Sequence, residues 1–525
     1  MAHMHRREFL SVLPAAALSA AEAKPWNAGE AAHILPTASD RRMLLKVSFR
    51  RKQDRIPLLK VGARLIRGNQ TDREGRFWSF DADKLQPGQP YSLQLLNAAR
   101  KPLCDPWTLK TLPDPDGRPN RFRLLIYTCA GGDERLIAGN GKKSYLSLAQ
   151  RGLLLDRALS LQPDAVIANG DHIYWDLRQS TYPQKYSSQV TAKTGQFVRD
   201  RPVLGTPNED VLRSVGDQQI ANLYGTRMRG LPVFFLQDDH DYFENDDADD
   251  RMVTFPPDHF MLQLARATRR LYYPEFLPDA NRPLGLPGAS AADTPAATGE
   301  SFGTLRFGRL AEVLLYDCRR YLTLAGPNAV VVPREVENWI TTRIADSTIG
   351  HLVQVPSMPP GWSAGKWGDW YPDILASDGS LTVNKSKPYW QPGWATQHDR
   401  LMKAASEQRA RIPLFVSGDM HSIAEGRILR TGGADLRANP AISILPGPIG
   451  TGVSWPSSAR GVRAVPPHHI EMEETQPCLE ENGFLIMDFS PEKIIANFFR
   501  WNPALGDESI AHLTPFRVTE IGRPS

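Results

Sequence analysis

Side chains that bind metal ions follow four apolar runs of this sequence. The runs begin near positions 124, 165, 233 and 414. The side chains at or just after their ends are a thiol, carboxylates, a phenol and imidazoles, namely Cys129, Asp171, Tyr174, Asp239, His240, Asp419 and His421. Short apolar runs are typical of strands buried on both faces. Ligands of open α/β sheets bind beyond the carboxyl ends of such strands. We therefore expect these groups to converge on one metal site.

The surrounding pattern predicts an α/β core from about position 121. Buried strands alternate with helical stretches, of which 152–161 and 399–410 are examples. Residues 483–489 and 493–501 predict a closing hairpin. Two loop-rich insertions, 278–301 and the tryptophan-rich 354–394, interrupt the core and are candidates for walls of the site.

Residues 34–113 show a different pattern of short alternating runs separated by turn clusters. Examples of the runs are 43–49, 76–80 and 91–96. Several short strands at this spacing predict a small all-β sandwich, immunoglobulin-like or fibronectin-like. No cluster of chemically active residues occurs in it, so we interpret it as a packing or substrate-shaping unit.

Composition sets limits on the function. A chain of 525 residues fits two or three domains. A net charge of +4 at this length does not by itself indicate a nucleic-acid or membrane partner. No apolar run is long enough for a transmembrane helix, so no membrane span is expected.

The first 23 residues predict a signal peptide. Arg6 and Arg7 precede a modest apolar stretch, and Ala21-Glu22-Ala23 offers a cleavage site. This segment resembles a twin-arginine export signal, which implies the twin-arginine translocation machinery as a partner and a periplasmic or extracellular location in a bacterium. An ordinary basic N-terminus with a short helix is the alternative.

The four cysteines do not form the dense pattern of a disulfide scaffold. Cys318 reads as a small buried apolar residue. Cys104 or Cys478 can pair in an oxidising compartment, and the sequence leaves that open. Cys129 differs because it ends a buried strand directly before Ala130-Gly131-Gly132, a turn that lets backbone approach an ion.

Three motifs, in this order, resemble the calcineurin-like metallophosphoesterase superfamily: Gly170-Asp171-His172-Ile173-Tyr174, Asp238-Asp239-His240-Asp241 and Gly418-Asp419-Met420-His421. Within it, the resemblance is to the PhoD-type alkaline phosphatases and phosphodiesterases. Cys129 stands where most members have Asp-x-His, and Tyr174 follows the bridging aspartate by three residues. The export signal and the segment 315–321 fit the same branch.

This resemblance covers residues 34–500 and implies an α/β (α+β) four-layer metallophosphoesterase sandwich behind the N-terminal all-β domain. The predicted organisation is a signal peptide at 1–23, a β-sandwich at 34–113, a PhoD-like catalytic domain at 121–500 and a C-terminal tail at 501–525.

The resemblance also implies two metal sites. Cys129, Tyr174, Asp171 and His421 would hold Fe³⁺, because thiolate and phenolate suit a trivalent ion. Asp171 would bridge to a second site with Asp239 and Asp419, which favours Ca²⁺, Mn²⁺ or Mg²⁺. Asn245 is the candidate for a further ligand, although Glu244-Asn245 replaces the family's Asn-Asn pair. The acidic residues from Asp246 to Asp250 read as a solvated loop.

The implied reaction is hydrolysis of phosphomonoesters or phosphodiesters by a metal-activated water. His240 is assigned to contact the phosphate and protonate the leaving group. Arg319 is the candidate for holding a phosphate oxygen, and an ion pair with Asp317 or another carboxylate is the alternative.

Two other functions remain open at this point. One is a diesterase acting on nucleic acid, phospholipid or a teichoic-acid-like polymer, in which Trp362, Trp367, Trp370 and Trp390 would stack on bases or sugars. We favour packing of a large loop as the role of these tryptophans. The other is a secreted metal-binding protein without hydrolytic activity.

Overall fold

The four apolar runs are strands in the computed structural model of the protein. They form β9 (Phe122–Thr128), β10 (Ala165–Asn169), β11 (Val233–Leu236) and β17 (Leu414–Val416). Nearly every residue of these strands is buried, as predicted from their uninterrupted apolar character. The structure describes residues 25–137, 141, 143–175, 195–242, 255–278, 281, 286–287, 298–365, 368–376, 381–382, 387, 389–451 and 464–522.

A six-stranded mixed sheet carries three of these strands. Its order is β11-β10-β9-β22-β23-β24. The last three strands are β22 (Asn482–Phe489), β23 (Lys493–Trp501) and β24 (Arg517–Gly522). The strands β9, β10 and β11 run parallel, so their carboxyl ends meet at one edge.

The C-terminal part of this sheet confirms one prediction and corrects another. The predicted closing hairpin is β22 and β23, which pair antiparallel from Asn482 with Trp501 to Phe489 with Ile494. Residues 501–525, predicted to be a tail, contain β24, which pairs with β23 and belongs to the sheet. The tail prediction was wrong there because a six-residue strand of alternating exposure has too little apolar character to stand out.

The second large sheet has eight strands and carries β17. The path runs β12-β13-β14-β17-β20-β18-β19, with β21 paired to β18. The remaining bounds are β12 (Phe302–Phe307), β13 (Ala311–Tyr316), β14 (His351–Pro356), β18 (Ile423–Thr431), β19 (Ala434–Asp435), β20 (Ala441–Pro446) and β21 (Ile470–Leu479). A two-stranded hairpin, β15 (Ile374–Leu375) with β16 (Leu381–Thr382), lies outside it.

Helices cover the outer faces of both sheets. The longer ones are α1 (Leu148–Ser160), α2 (Pro207–Gly216), α3 (His259–Tyr272), α4 (Arg334–Ala345) and α5 (Pro392–Glu407). A π-helical turn, Asp217–Ala221, and Asn222–Tyr224 continue α2. The α1 N-terminus is fixed by a capping box in which Ser147 and Gln150 exchange hydrogen bonds.

Residues that alternate along the central strands face three different apolar cores. Leu124 and Ile126 of β9 face β13 and the eight-stranded sheet, whereas Leu125 and Tyr127 face α1. On the far side, Leu314 of β13 packs with α4 and α5. Successive strand residues point to opposite faces, so each sheet contributes to two cores. The order of layers is helix, sheet, sheet, helix.

The N-terminal strands form two four-stranded antiparallel sheets around a further core. One sheet contains β1 (Ala31–Ala38), β2 (Met43–Phe49), β6 (Phe77–Ala82) and β5 (Asn69–Gln70). The other contains β4 (Arg64–Arg67), β3 (Leu58–Val61), β7 (Pro90–Leu96) and β8 (Trp107–Lys110). Membership of the immunoglobulin or fibronectin class stays a prediction.

Buried polar contacts join this N-terminal part to the region around α3. Lys46 Nζ lies 3.0 Å from Glu275 Oε1 and 3.1 Å from the Arg270 carbonyl oxygen. His33 Nε2 lies 2.9 Å from the Tyr272 carbonyl oxygen, and burial lowers the pKa of His33 to about 4. These contacts fix the position of the N-terminal strands because a buried charge without its partner is costly.

Candidate metal centre

The carboxyl ends of both large sheets meet at one place. Cys129 follows β9, Asp171 follows β10, and Asp238 and Asp239 follow β11. From the other sheet, β17 leads into Asp419 and His421. The predicted convergence of four strand ends is therefore what the fold produces.

The first group surrounds one oxygen of Asp171. Its Oδ2 lies 3.2 Å from Cys129 Sγ, 3.4 Å from the Tyr174 hydroxyl and 3.6 Å from His421 Nε2. The Tyr174 hydroxyl is also 3.1 Å from His421 Nε2. Cys129, Asp171 and His421 place one ligand atom each within 4.8 Å of one another. These distances suit convergence on a single ion.

A second group lies beside the first and shares Asp171. Asp171, Asp239 and His240 place ligand atoms within 4.8 Å of one another, and so do Asp238, Asp239 and Asp419. His240 is partly exposed, whereas the carboxylates are buried. Its ring centre is 4.1 Å from that of Tyr174. Asp238 was quoted in the sequence motif but not assigned as a ligand, and the structure adds it to this group.

Four of the predicted ligands have strained backbones. The φ angles are +48° at Cys129, +57° at Asp171, +71° at Asp419 and +50° at His421. Side-chain-bearing residues rarely adopt positive φ, and such outliers concentrate at functional sites. These residues each turn the chain sharply at a strand end, which directs their side chains toward the common centre.

Two glycines permit the close approach of the strand ends. A Cβ at Gly170, where φ is +78°, would lie 2.6 Å from Asp238 Cβ. A Cβ at Gly418 would lie 2.5 Å from the Asn169 carbonyl oxygen, which belongs to the other sheet. Both distances are shorter than a Cβ atom tolerates, so the missing side chain of Gly170 lets the ends of β10 and β11 approach within one sheet, and that of Gly418 lets the two sheets meet.

Asp241 fixes the turn that carries Asp171, and sequence reasoning missed this role. Its carboxylate accepts hydrogen bonds from the backbone N–H groups of Asp171 at 2.8 Å, His172 at 3.0 Å, Ile173 at 3.3 Å and Asp238 at 3.0 Å. The signal available in the sequence was its place directly after His240. A buried carboxylate held by several amides anchors the loop that surrounds it.

Several pKa values in this cluster are raised, as expected where potential metal ligands are buried close together. Burial, followed by the charge of Asp171, raises the pKa of both the Cys129 thiol and the Tyr174 hydroxyl well above their usual ranges. Burial likewise raises the pKa of Asp238, against the opposing effect of Arg319. A bound cation reverses these effects because it favours deprotonated ligands. Thiol, phenol, imidazole and several carboxylates in one buried place are groups that can hold metal ions.

Arg319 is buried, with a side-chain exposure of 2%, and lies within the carboxylate cluster. Its Nε donates to Asp238 Oδ1 at 2.7 Å, and its Nη2 is 3.4 Å from Asp419 Oδ2. Asp317 instead accepts the backbone N–H groups of Arg319 and Arg320. The ion pair weighed for Arg319 is therefore present, with Asp238 rather than Asp317.

The remaining residues named from the sequence lie outside the metal-binding cluster or outside the described residues. Asn245 and Trp367 lie outside the described residues, as does the predicted signal peptide. Trp362 and Trp370 are buried, and the Trp362 indole N–H donates to Glu474 at 3.0 Å, which agrees with packing of the insertion. None of the four cysteines, all of which lie among the described residues, forms a disulfide, and this includes Cys104 and Cys478.

Comparisons with known proteins agree with this architecture. No protein-family model matches the sequence, and neither does any curated protein. The structure is similar to that of PhoD, with a TM-score of 0.61 and 13% identity over 94% of this chain and 91% of that chain. It is also similar to a purple acid phosphatase from yellow lupin (Lupinus luteus) seeds, with a TM-score of 0.54 and 10% identity over 95% of this chain and 75% of that chain.

Both neighbours are calcineurin-like metallophosphoesterases. At such low identity the similarity shows the fold. The resemblance predicted from the three sequence motifs is confirmed at that level.

Proposed function

We propose that the protein is an exported, metal-dependent phosphoric ester hydrolase of the alkaline phosphatase D type, acting on phosphomonoesters, phosphodiesters or both. The observation that carries this proposal is the shared carboxylate of Asp171, which belongs to two adjoining groups of buried metal-binding side chains. Two-metal sites of this kind serve phosphoester hydrolysis. The fold, which PhoD and a purple acid phosphatase share, supports the same reaction.

Fe³⁺ is proposed for the first group, Cys129, Tyr174, Asp171 and His421. Ca²⁺, or Mn²⁺ or Mg²⁺, is proposed for the second group, in which Asp239 and Asp419 supply hard oxygen ligands and Asn245 is the candidate for another. When bound, the ions would supply an activated water and neutralise charge on the phosphate oxygens.

The chain's own residues would orient the substrate and supply a proton. His240 is partly exposed and lies beside the carboxylates of Asp171 and Asp239, which places it at the open side of the cluster. Its ring packs on Tyr174, which restricts its orientation. We assign His240 to contact the phosphate and to donate a proton to the leaving oxygen.

Replacement of His240 by alanine tests this assignment together with the substrate class. General acid catalysis contributes roughly 10²–10⁴-fold. We expect a loss of that order with alkyl phosphates and a much smaller loss with nitrophenyl phosphates, whose leaving oxygen needs no proton. The substrate panel contains phosphomonoesters, phosphodiesters, nucleic acid, phospholipid and a teichoic-acid-like polymer. His512→Ala, on an exposed turn, is the matched control.

The outcomes separate the alternatives. Equal losses with both leaving groups, together with loss of metal, would make His240 a ligand and not the acid. Preference for one polymer would identify the diesterase. A metal-loaded protein that hydrolyses no member of the panel would favour the non-hydrolytic binding protein.

Export through the twin-arginine machinery is proposed on the sequence of residues 1–23 and accords with a metal-loaded protein that folds before transport. Within the described residues, none of the helices combines the length and apolar character that crossing a bilayer requires. The N-terminal sheets are proposed to be an immunoglobulin-like or fibronectin-like packing unit.

Replacing Arg6 and Arg7 together by lysine is expected to leave the precursor in the cytoplasm, because the receptor reads paired guanidinium groups. Fractionation of cells followed by immunoblotting measures this. Wild-type yield of the double variant outside the inner membrane would show that the signal is of another kind.

A further inference from the structure

Arg319 is paired with two carboxylates of the metal-binding cluster, a position that phosphate binding alone does not explain. Its guanidinium group bridges Asp238, at 2.7 Å, and Asp419, at 3.4 Å, and both carboxylates belong to the second metal-binding group. The three side chains come from the ends of β13, β11 and β17. All three are buried, so the charges interact with little screening by solvent.

The turn that carries Arg319 fixes the direction of its side chain. The Asp317 carboxylate accepts the backbone N–H groups of Arg319 at 2.8 Å and Arg320 at 3.0 Å, and it is also hydrogen-bonded to the Tyr242 hydroxyl. Arg320 forms an ion pair with Glu300 at 2.5 Å, away from the cluster. Of the two neighbouring arginines, Arg319 alone is paired with the metal-binding carboxylates among the described residues.

The negative charge of the metal-binding cluster explains why a positive charge at Arg319 is useful. Asp171, Asp238, Asp239 and Asp419, with a thiolate at Cys129 and a phenolate at Tyr174, carry six negative charges when all act as anions. The charge of Arg319 reduces the sum to five, which equals that of one trivalent and one divalent cation. Asp241 is left out of this sum because four backbone N–H groups already stabilise its charge.

We infer that Arg319 is a resident counter-ion of the second metal site. It neutralises Asp238 and Asp419, holds these carboxylates together before the divalent ion binds, and weakens the binding of that ion enough to let it exchange. Arg319 is thus a positioning residue, in line with the ion pair that the sequence left open beside the phosphate-binding role. This inference rests on the proposed two-ion site.

The experiment compares three variants of the full-length mature protein. Arg319→Gln removes the charge, Arg319→Lys keeps it, and Arg320→Gln removes a neighbouring buried charge that faces elsewhere. After a chelator has emptied the second site, Mn²⁺ binding is followed by electron paramagnetic resonance. Thermal unfolding is recorded with and without Mn²⁺, and inhibition by inorganic phosphate is measured in parallel.

Removal of one positive charge a few ångströms from a divalent ion is expected to tighten Mn²⁺ binding by at least about tenfold in Arg319→Gln. The same variant should unfold at a lower temperature without Mn²⁺ and recover much of the difference with it, because binding stabilises the folded state. Recovery of folded Arg319→Gln only when Mn²⁺ is present would support the same conclusion. Arg319→Lys should bind Mn²⁺ within about threefold of wild type, since the unit positive charge that repels the ion is kept.

Arg320→Gln should lower the unfolding temperature equally with and without Mn²⁺ and leave the affinity unchanged. Wild-type or weaker Mn²⁺ binding by Arg319→Gln, with loss of phosphate inhibition, would overturn the inference and restore Arg319 as a phosphate ligand. Wild-type protein that takes up no Mn²⁺ would remove the proposed two-ion site itself, and the counter-ion role with it.

Discussion

Asp171→Asn is expected to lower the rate of phosphoester hydrolysis by about 10³-fold or more while leaving the fold intact; losing even one preorganised electrostatic contact at such a site costs about 10²–10³-fold. Asp171 is the residue that the two groups share. A carboxylate has two anionic oxygens with which to bridge two ions, whereas an amide offers one neutral oxygen. Turnover of the metal-supplemented protein and elemental analysis of the same sample measure the effect.

The fold should survive because the interactions that set the Asp171 turn do not involve its side chain. Its backbone N–H donates to Asp241, and its carbonyl oxygen accepts from the Ala130 N–H at 2.9 Å. Removing one of several buried like charges also relieves repulsion. Asp164→Asn is the control, at the other end of the same strand, and it should cost little activity. Near-normal turnover of Asp171→Asn would exclude a mechanism that depends on two ions.

The sequence predicted the part of this centre that depends on short-range signals. Uninterrupted apolar runs identified β9, β10, β11 and β17, and the residues that end these runs identified most of the cluster. The closing hairpin was predictable for the same reason, since its two alternating segments flank a short turn. Each strand, and each arm of the hairpin, is a short continuous segment that a local pattern can reveal.

Contacts between distant parts of the chain could not be predicted in this way. Arg319 and Asp238 are 81 positions apart and meet because β13 and β11 lie in facing sheets. Nothing near Arg319 indicates that its partner is Asp238, since Asp317 is closer in sequence and equally charged. The same applies to the backbone bonds of Asp241, which depend on a turn about 70 positions away.

The second prediction concerns the identity of the ion in the first group. Cys129 and Tyr174 are anionic ligands when deprotonated, and a phenolate bound to Fe³⁺ gives a visible charge-transfer band. Tyr174→Phe should bleach or shift that band, because the hydroxyl that lies 3.4 Å from Asp171 is removed. Cys129→Ser should weaken iron retention by at least about 100-fold, since loss of even an outer-shell partner costs about 10–100-fold. Absorption spectra and iron content report these effects without reference to activity.

The second group should behave differently, because it is built from carboxylates without a thiolate. A chelator selective for Ca²⁺ or Mn²⁺ is expected to remove activity reversibly while the colour and the iron remain, since hard oxygen ligands release such ions more readily. Tyr145→Phe is the matched control for the spectrum: this buried tyrosine has its ring centre 4.9 Å from that of Tyr174 and should leave the band unchanged. A colourless, fully active protein containing two zinc ions would contradict the iron assignment. Hydrolysis by the shared carboxylate site would survive that result, because it depends on Asp171 joining two cations and not on which cation lies beside Cys129.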